Sequence, residues 1–298
     1  MSTSDVVDPY DITSRSNGLA RRRVTEKAVA VVALASAVFA VLILALVLGS
    51  VLAKGLKAVD LDFFTHSAAL FGQKGGIADA LIGSIVIVLM AMVMAVPIAI
   101  LVAIYIAEYA GPKAAAFLRV TLDVLNGVPA ILVGIFIYGL LVVGNGQSAI
   151  YGAMALAILM IPMVARATQE MLELVPRHLR EGSLALGVPR WRTVYSIVLP
   201  TAIGGILTGV VIAVARVAGE TAPLIFTSSI VTTNGVSLDV HQALPTLPVR
   251  IFTLSESPSP DDQAAAWAAA LVLIAFVLVM NVLAKFFAGR KRRSLEGS

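Results

Sequence analysis

Two ionisable residues follow a long apolar run directly, in a place where a charge is costly unless it is paired or used. The run 193–215 has no charged residue, and Arg216, Glu220 and Thr221 come next. About 24 Å of helix would separate Pro200 from Arg216, which predicts a position in the outer half of a bilayer. On a continuous helix, residues four positions apart share a face.

Several roles for Arg216 and Glu220 are open. The two could handle an anion or gate a path across the bilayer. They could instead form a structural ion pair, or Arg216 could extend to the membrane surface. Because an ionised Glu220 repels an anion, we expect it to pair with Arg216 or with an arginine of a partner. Arg216 or its counterpart would then meet the ligand.

The most charged interior stretch, 166–192, contains a second candidate site. Pro176 favours a helix start and predicts a helix over 177–186, which Gly187 and Pro189 then end. One face of this helix would carry Leu179, Ser183 and Leu186. Three residues on it are small: Gly182, Ser183 and Ala185. Such a helix could insert into the groove of a partner, or it could be a solvated helix without a partner.

Patterns of catalysis are missing from the sequence. The chain has no cysteine, and its 3 histidines are not paired at metal-ligand spacing. It contains neither a Walker A loop nor the zinc-protease and serine-hydrolase motifs. We therefore expect a chain that is not an enzyme and binds no metal.

The composition excludes most soluble classes of protein. Of 298 residues, 59% are hydrophobic and only 13% are charged. A soluble chain of this length could not bury so much apolar surface, so an all-α polytopic membrane protein is expected rather than a cytosolic enzyme, a disordered chain or a DNA-binding module. The net charge of +4 fits basic loops, and no nucleic acid partner is expected.

Runs without Asp, Glu, Lys or Arg predict the membrane spans, because about 20 apolar residues cross the hydrocarbon layer. Six spans are predicted: 28–53, 80–107, the two halves of 124–165 divided at the turn signal 144–148, 193–215 and 263–284. The first is too long for the apolar part of a signal peptide. The run 221–238 contains Pro223 and a polar stretch, which predicts a short or re-entrant piece and then an irregular loop.

Most of the 22 Lys and Arg residues fall on the same side of the predicted spans as both termini, which predicts cytoplasmic ends. The predicted organisation has four parts: a basic cytoplasmic tail over 1–27, the first span and an external segment over 28–75, a transmembrane domain over 76–287 with a cytoplasmic loop at 166–196, and a basic tail over 288–298. Both tails are expected to touch anionic lipid.

Two local features of the core add expectations. The segment 113–126 predicts a helix at the membrane interface. Gly205 and Gly209 form a GxxxG motif. The motif either admits another helix at close range or makes its own helix flexible.

The loop 166–196 and the residues after it resemble the signature of ABC-transporter inner-membrane permeases. That signature is Glu-Ala-Ala, three residues, Gly, nine residues and Ile-x-Leu-Pro. Here Glu181, Gly187 and Ile197 have the same spacing, and Gly182 and Ser183 replace the two alanines. The resemblance implies a type I importer fold of the MetI kind, with a five-helix core and one peripheral N-terminal helix. It also implies that the loop is a coupling helix for a separate ATPase, through Glu181, Gly182, Ser183, Leu186, Gly187, Ile197, Leu199 and Pro200.

Two further segments are similar to phosphate-transport permeases of the PstA type. One runs from Arg216 to Leu224 with Gly-Glu-Thr-Ala-Pro-Leu intact. The other runs from Asn126 to Gly134, with Ala130 where that family has Ser. The resemblance implies a phosphate importer subunit with Arg216, Glu220 and Thr221 along the substrate path or its gate. Import of another oxyanion, sulfate or molybdate, is the first alternative, and an ion-coupled secondary transporter is the second.

The same resemblance implies the partners and the location. We expect a PstC-like permease subunit, a PstB-like ATPase dimer and an external phosphate-binding protein of the PstS kind. The chain itself would bind no cofactor, since ATP and Mg would be used by the ATPase. The location would be the plasma membrane of a prokaryote.

Overall fold

The computed structural model describes residues 16–67, 75–229 and 235–296. These ranges contain helices and no strand, as the sequence predicts. Twelve α-helices follow one another: α1 Ser16–Gly55, α2 Leu61–Thr65, α3 Ala78–Ile104, α4 Pro112–Gly127, α5 Ala130–Ile137, α6 Ala149–Glu173, α7 Arg177–Ala185, α8 Arg190–Thr193, α9 Leu199–Val217, α10 Ala222–Thr227, α11 Leu247–Ser255 and α12 Pro260–Glu296. Three π-helical turns extend α3, α5 and α8: Tyr105–Tyr109, Tyr138–Val142 and Val194–Val198.

The chain divides into two units, one up to Ala53 and one from Lys54. In the first unit, every described side chain from Arg22 to Val47 is exposed. A helix with apolar residues on all sides is stable in this form only in lipid. The basic clusters predicted to touch lipid include Arg21 and Arg290–Arg293, whose side chains lie outside the described part of the structure.

Among the described residues, five helices are long and apolar enough to cross a membrane. A sixth span exists only if Pro112–Gly127 and Ala130–Val142, which meet at 91°, are counted together. The span predicted from Val124 to the turn is therefore not one continuous helix, and it is present only as this bent pair. The break has a local cause, since Pro129 disfavours helical backbone at Val128, which is extended. The helix predicted over 113–126 is present as α4.

The core of the second unit is built on α3, α6 and α9. Four alanines line one ridge of α3 at every fourth position and are fully buried: Ala91, Ala95, Ala99 and Ala103. Such a ridge lets helices approach closely. On α9 the GxxxG motif does the same, since a Cβ at Gly205 would collide with Met171 of α6 and one at Gly209 with Ala167. Close approach, rather than flexibility, is therefore confirmed for this motif.

The region after α9 follows the prediction in part. The short helix α10 occupies the start of the run predicted as a short or re-entrant piece, and irregular backbone leads from Gly235 to α11. Residues 230–234 lie outside the described ranges. The helix α11 was not predicted, because it is too short to register as a span. Its first turn, Leu247–Val249, is nevertheless buried.

Candidate functional site

The loop helix α7 begins at Arg177 as predicted and ends at Ala185, one residue before the predicted end. Pro176 precedes it with non-helical backbone, at a φ of −58° and a ψ of +136°. Gly187 has a φ of +78°, which favours glycine. The Val188 amide donates to the Ser183 carbonyl at 3.2 Å, and the Gly187 amide donates to the Leu184 carbonyl at 2.9 Å. This is a Schellman motif, so the sequence signal of a glycine stop has a definite structural basis.

The face predicted for α7 is not a single face in the structure. Ser183 is buried, and its hydroxyl lies 2.9 Å from that of Thr193. Leu179 and Leu186, predicted on the same face, are exposed, Leu186 at 84%. Glu181 and Gly182 are also exposed, and Leu184 is 49% exposed. The outward surface of α7 therefore combines an acidic residue, small residues and two leucines.

The second half of the loop signature lies on a different element. Ile197 is in the π-helical turn that leads into α9, and Leu199 and Pro200 begin α9 itself. These residues are half-buried or exposed along the spanning helix rather than on the surface of α7. A side-chain hydrogen bond between Ser183 and Thr193 links α7 to α8, the short helix that precedes that turn.

A buried ion pair behind α7 was not anticipated from the sequence. Arg180 of α7 bonds Glu108, which lies in the π-helical turn after α3, through Nε at 3.0 Å and Nη2 at 2.9 Å. Its Nη1 and Nη2 also donate to the carbonyls of Val175 and Leu172, both at 2.6 Å. Glu108 is 6% exposed. The only sequence signal was a carboxylate that ends an uncharged run.

A second buried pair lies at the opposite end of α3. Asp79, in the first turn of α3, accepts from Arg250 of α11 at 2.7 Å, and the two side chains are 1% and 7% exposed. Nearby, the Leu247 amide donates to Ser84 Oγ at 2.7 Å. In the sequence, Asp79 only precedes the apolar run 80–107, and no spacing relates it to Arg250, 171 positions later. The pairing was therefore not predicted.

Arg216 and Glu220 do not share a helical face. The helix α9 ends at Val217, so Glu220 lies beyond it, and the prediction based on helical spacing is wrong at this point. Within the described ranges no ion pair joins the two side chains. Arg216 is exposed and Glu220 is half-buried. The helix ends between the two residues, at Val217, which explains why the four-residue spacing does not bring them onto one face.

Arg216 and Glu220 nevertheless both line one small pocket of about 50 Å³. The remaining lining includes Asn126, Val128 and Ala130, where α4 gives way to α5. The two sequence segments that resemble phosphate permeases therefore meet at one place. Thr221 is not part of the lining and is instead the N-cap of α10, where its carbonyl accepts from the Leu224 amide at 3.1 Å.

Close packing of α5 on α10 fixes this meeting point. A Cβ on Gly134 would lie 2.6 Å from the Cα of Pro223. Tyr138 and Phe226 pack edge to face with ring centroids 6.2 Å apart. Gln147, in the turn before α6, donates to the carbonyls of Ile225 and Phe226 at 3.3 Å each. The geometry explains why Gly134 and Pro223 occur within the two segments.

An all-helical chain with several apolar spans, an exposed loop helix and a polar pocket at a break between helices has the architecture of a membrane transport permease. A family model described as "Binding-protein-dependent transport system inner membrane component" matches residues 95–293. The chain is 37% identical over 268 residues to the phosphate transport system permease protein PstA of Xylella fastidiosa (strain Temecula1 / ATCC 700964), covering 89% of this chain and 93% of the relative. It is 38% identical over 283 residues to PstA of Yersinia pestis, covering 94% and 95%.

The chain therefore belongs to the family of binding-protein-dependent transport system inner membrane components, and it is a multi-pass membrane protein. The fold is similar to that of a solved structure of the MetNI methionine ABC transporter in an inward-facing conformation. The TM-score is 0.57 and the identity 15%, over 72% of this chain and 94% of that one. The predicted importer fold of the MetI kind is thus confirmed.

Proposed function

We propose that this chain is a permease subunit of an ATP-driven importer for inorganic phosphate. Its similarity to PstA proteins over most of its length supports phosphate as the cargo. In this proposal, a PstC-like permease completes the path, a PstB-like ATPase dimer drives it, and a PstS-like external protein delivers the anion. Both termini lie in the cytoplasm of a prokaryotic cell, and ATP and Mg are bound by the ATPase.

The observation that carries the proposal is the pocket shared by Arg216, Glu220 and Asn126. A guanidinium binds phosphate oxygens through charge-assisted hydrogen bonds, and an amide adds a neutral donor. The Glu220 carboxylate can accept a hydrogen bond from a protonated phosphate oxygen. Sulfate near neutral pH has no proton to donate, so the same carboxylate would oppose it. At the depth predicted for Arg216, a charged side chain is costly unless it is paired or has a function.

The surface of α7 supports the coupling part of the proposal. Leu184 and Leu186 are exposed, as are Glu181 and Gly182, whereas Ser183 is buried. An apolar and acidic helical surface of this kind fits a groove in a partner. Gly187 holds the end of the helix in a fixed geometry. In this proposal the surface docks on the ATPase, while Ile197, Leu199 and Pro200 transmit movement into α9.

The experiment is uptake of labelled phosphate by the purified four-component transporter in liposomes, with ATP inside or outside. We expect ATP-dependent phosphate uptake that excess sulfate and molybdate do not compete away. Uptake of sulfate or molybdate in place of phosphate would replace the proposed cargo by another oxyanion. Uptake driven by an ion gradient without ATP would place the chain among secondary transporters.

Variants of the pocket test the roles of individual residues. Arg216→Gln is expected to abolish uptake while the complex still assembles, because no helix-packing contact is lost. Glu220→Gln is expected to reduce the preference for phosphate over sulfate. The matched control is Arg119→Gln, which removes a half-exposed arginine that pairs with Glu173 and does not line the pocket. Normal uptake by Arg216→Gln would remove that residue from the proposed path.

A further inference from the structure

The ion pair between Arg180 of α7 and Glu108 is held by several hydrogen bonds. Arg180 uses all three of its nitrogens, and the contacts are 2.6–3.0 Å long. The two residues are 72 positions apart in the sequence. Because Glu108 is almost fully buried, its charge needs this partner. The pair is therefore a specific connection between distant segments rather than a local contact.

Three structural elements meet at this one guanidinium. It belongs to α7, it bonds the carboxylate after α3, and it caps the end of α6 through the carbonyls of Leu172 and Val175. The Leu172 carbonyl also accepts from the Val175 amide at 3.2 Å, and Val175 lies just beyond α6, so the guanidinium holds the chain where α6 ends. Contacts in these directions restrain both tilting and sliding of α7. The bond from Ser183 to Thr193, by contrast, is a single neutral contact toward α8.

The neighbouring elements are the ones that form the core. The buried alanine ridge of α3 packs in the same hydrophobic cluster as Leu156, Met160 and Val164 of α6. Close-packed interiors transmit displacement rather than absorb it. A movement of α7 that reaches α3 and α6 would therefore move these two helices together. The π-helical turn that carries Glu108 interrupts the regular helix just at this junction, and such turns are frequent at functional positions.

We propose that the Arg180–Glu108 pair is the mechanical link that transmits movement of α7 to α3 and α6. Arg180 and Glu108 are then positioning residues, and the inference rests on the proposed function of α7 as the coupling helix. The route through α3 and α6 is new. The residues of the second half of the loop signature, by contrast, lie on the path into α9. Without the link, α7 can still dock on the ATPase, but its movement no longer reaches α3 and α6, and the path into α9 alone does not sustain import.

The first test uses Glu108→Leu, which removes both acceptor oxygens of the pair, in the reconstituted transporter and measures phosphate imported per ATP hydrolysed. This variant leaves the bonds from Arg180 to Leu172 and Val175 in place, so assembly should persist. We expect ATP hydrolysis per assembled complex to stay within about twofold of wild type and import per ATP to fall at least about tenfold. The control Arg119→Gln breaks an ion pair that also reaches α6, through Glu173, but does not touch α7. It should keep the wild-type ratio.

A second test does not depend on the stability of a single variant. Because the chain has no cysteine, Glu108→Cys combined with Arg180→Cys creates a unique pair of thiols. Joining them with a short bis-maleimide should restore import per ATP, relative to the same protein before cross-linking. An unchanged ratio in Glu108→Leu, an equal loss of hydrolysis and import, or no recovery after cross-linking would overturn the link. Failure of the proposed function is seen separately, as absence of ATP-dependent phosphate uptake by the wild-type complex.

Discussion

The two ends of α3 carry the same chemistry in different surroundings. At one end Asp79 pairs with Arg250, and at the other Glu108 pairs with Arg180. In the described part of the chain, Asp79 Oδ1 and Arg250 Nε are buried without a hydrogen-bond partner. Arg180, by contrast, bonds through every nitrogen and keeps a fifth of its side chain exposed.

The difference indicates two separate roles. A buried pair that leaves polar atoms unsatisfied contributes little net stability, yet it resists separation because each charge would be stranded. The Asp79 end therefore acts as a fixed anchor between α3 and α11. The Glu108 end is a fully bonded junction next to an exposed helix, so its parts can move together without losing their bonds. Changes at the two ends should consequently have different effects.

The largest effect is expected at the anchor. Arg250→Met leaves the Asp79 carboxylate buried and unpaired, which should lower the free energy of unfolding by about 3–5 kcal/mol. Asp79→Leu combined with Arg250→Met removes both charges and should recover most of that loss. Thermal unfolding in detergent measures both variants. A stable single variant would mean that Asp79 has water or another partner, and the contrast between the two ends would disappear.

A smaller loss is expected at the junction. Glu108→Gln keeps an oxygen that can accept from Arg180 but removes the charge, so we expect a decrease of about 1–3 kcal/mol in the free energy of unfolding. The same unfolding measurement applies, with wild type and Arg250→Met run alongside. A loss as large as that of Arg250→Met would show that the junction is also a rigid anchor, contrary to the comparison.

Two glycines near the end of α7, Gly182 and Gly187, can be compared because only Gly187 has a positive φ. Gly187→Ala places a side chain at a φ of +78° and should lower stability by about 1–2 kcal/mol. Gly182→Ala, inside the helix with no atom within 4 Å of its new Cβ, should be neutral or raise stability by up to about 1 kcal/mol. Binding of the ATPase to each variant is the second measurement. Equal behaviour of the two variants would contradict the Schellman ending.

The smallest effect is expected where burial is absent. Arg119 and Glu173 are 2.8 Å apart, but both side chains are over 40% exposed. Arg119→Gln should therefore change stability by less than about 1 kcal/mol, and by less still at high salt. Unfolding at two salt concentrations checks this. A loss comparable to that of Glu108→Gln would show that position near α6, rather than burial, determines the cost.

Several features were predictable because their causes are local. Pro176 and Gly187 set the bounds of α7 through their own backbone preferences, and Gly144 and Gly146 have positive φ in the predicted turn between α5 and α6. The spacing of Gly205 and Gly209 allowed either a close helix approach or a flexible helix, and only the contacts with α6 decided between them. The failure of the four-residue spacing of Arg216 and Glu220 also has a local cause, because α9 ends between them, at Val217.

The sequence by itself determined the membrane class, most of the spans and the loop helix, because apolar runs and the backbone preferences of proline and glycine act within a few residues. Only the tertiary structure decided that Asp79 meets Arg250, 171 positions away, and that Glu108 meets Arg180. It alone brought Asn126 into the pocket with Arg216 and Glu220. A charge beside an apolar run looks the same in sequence whether it faces water or a buried partner. The choice depends on which distant helix packs against it.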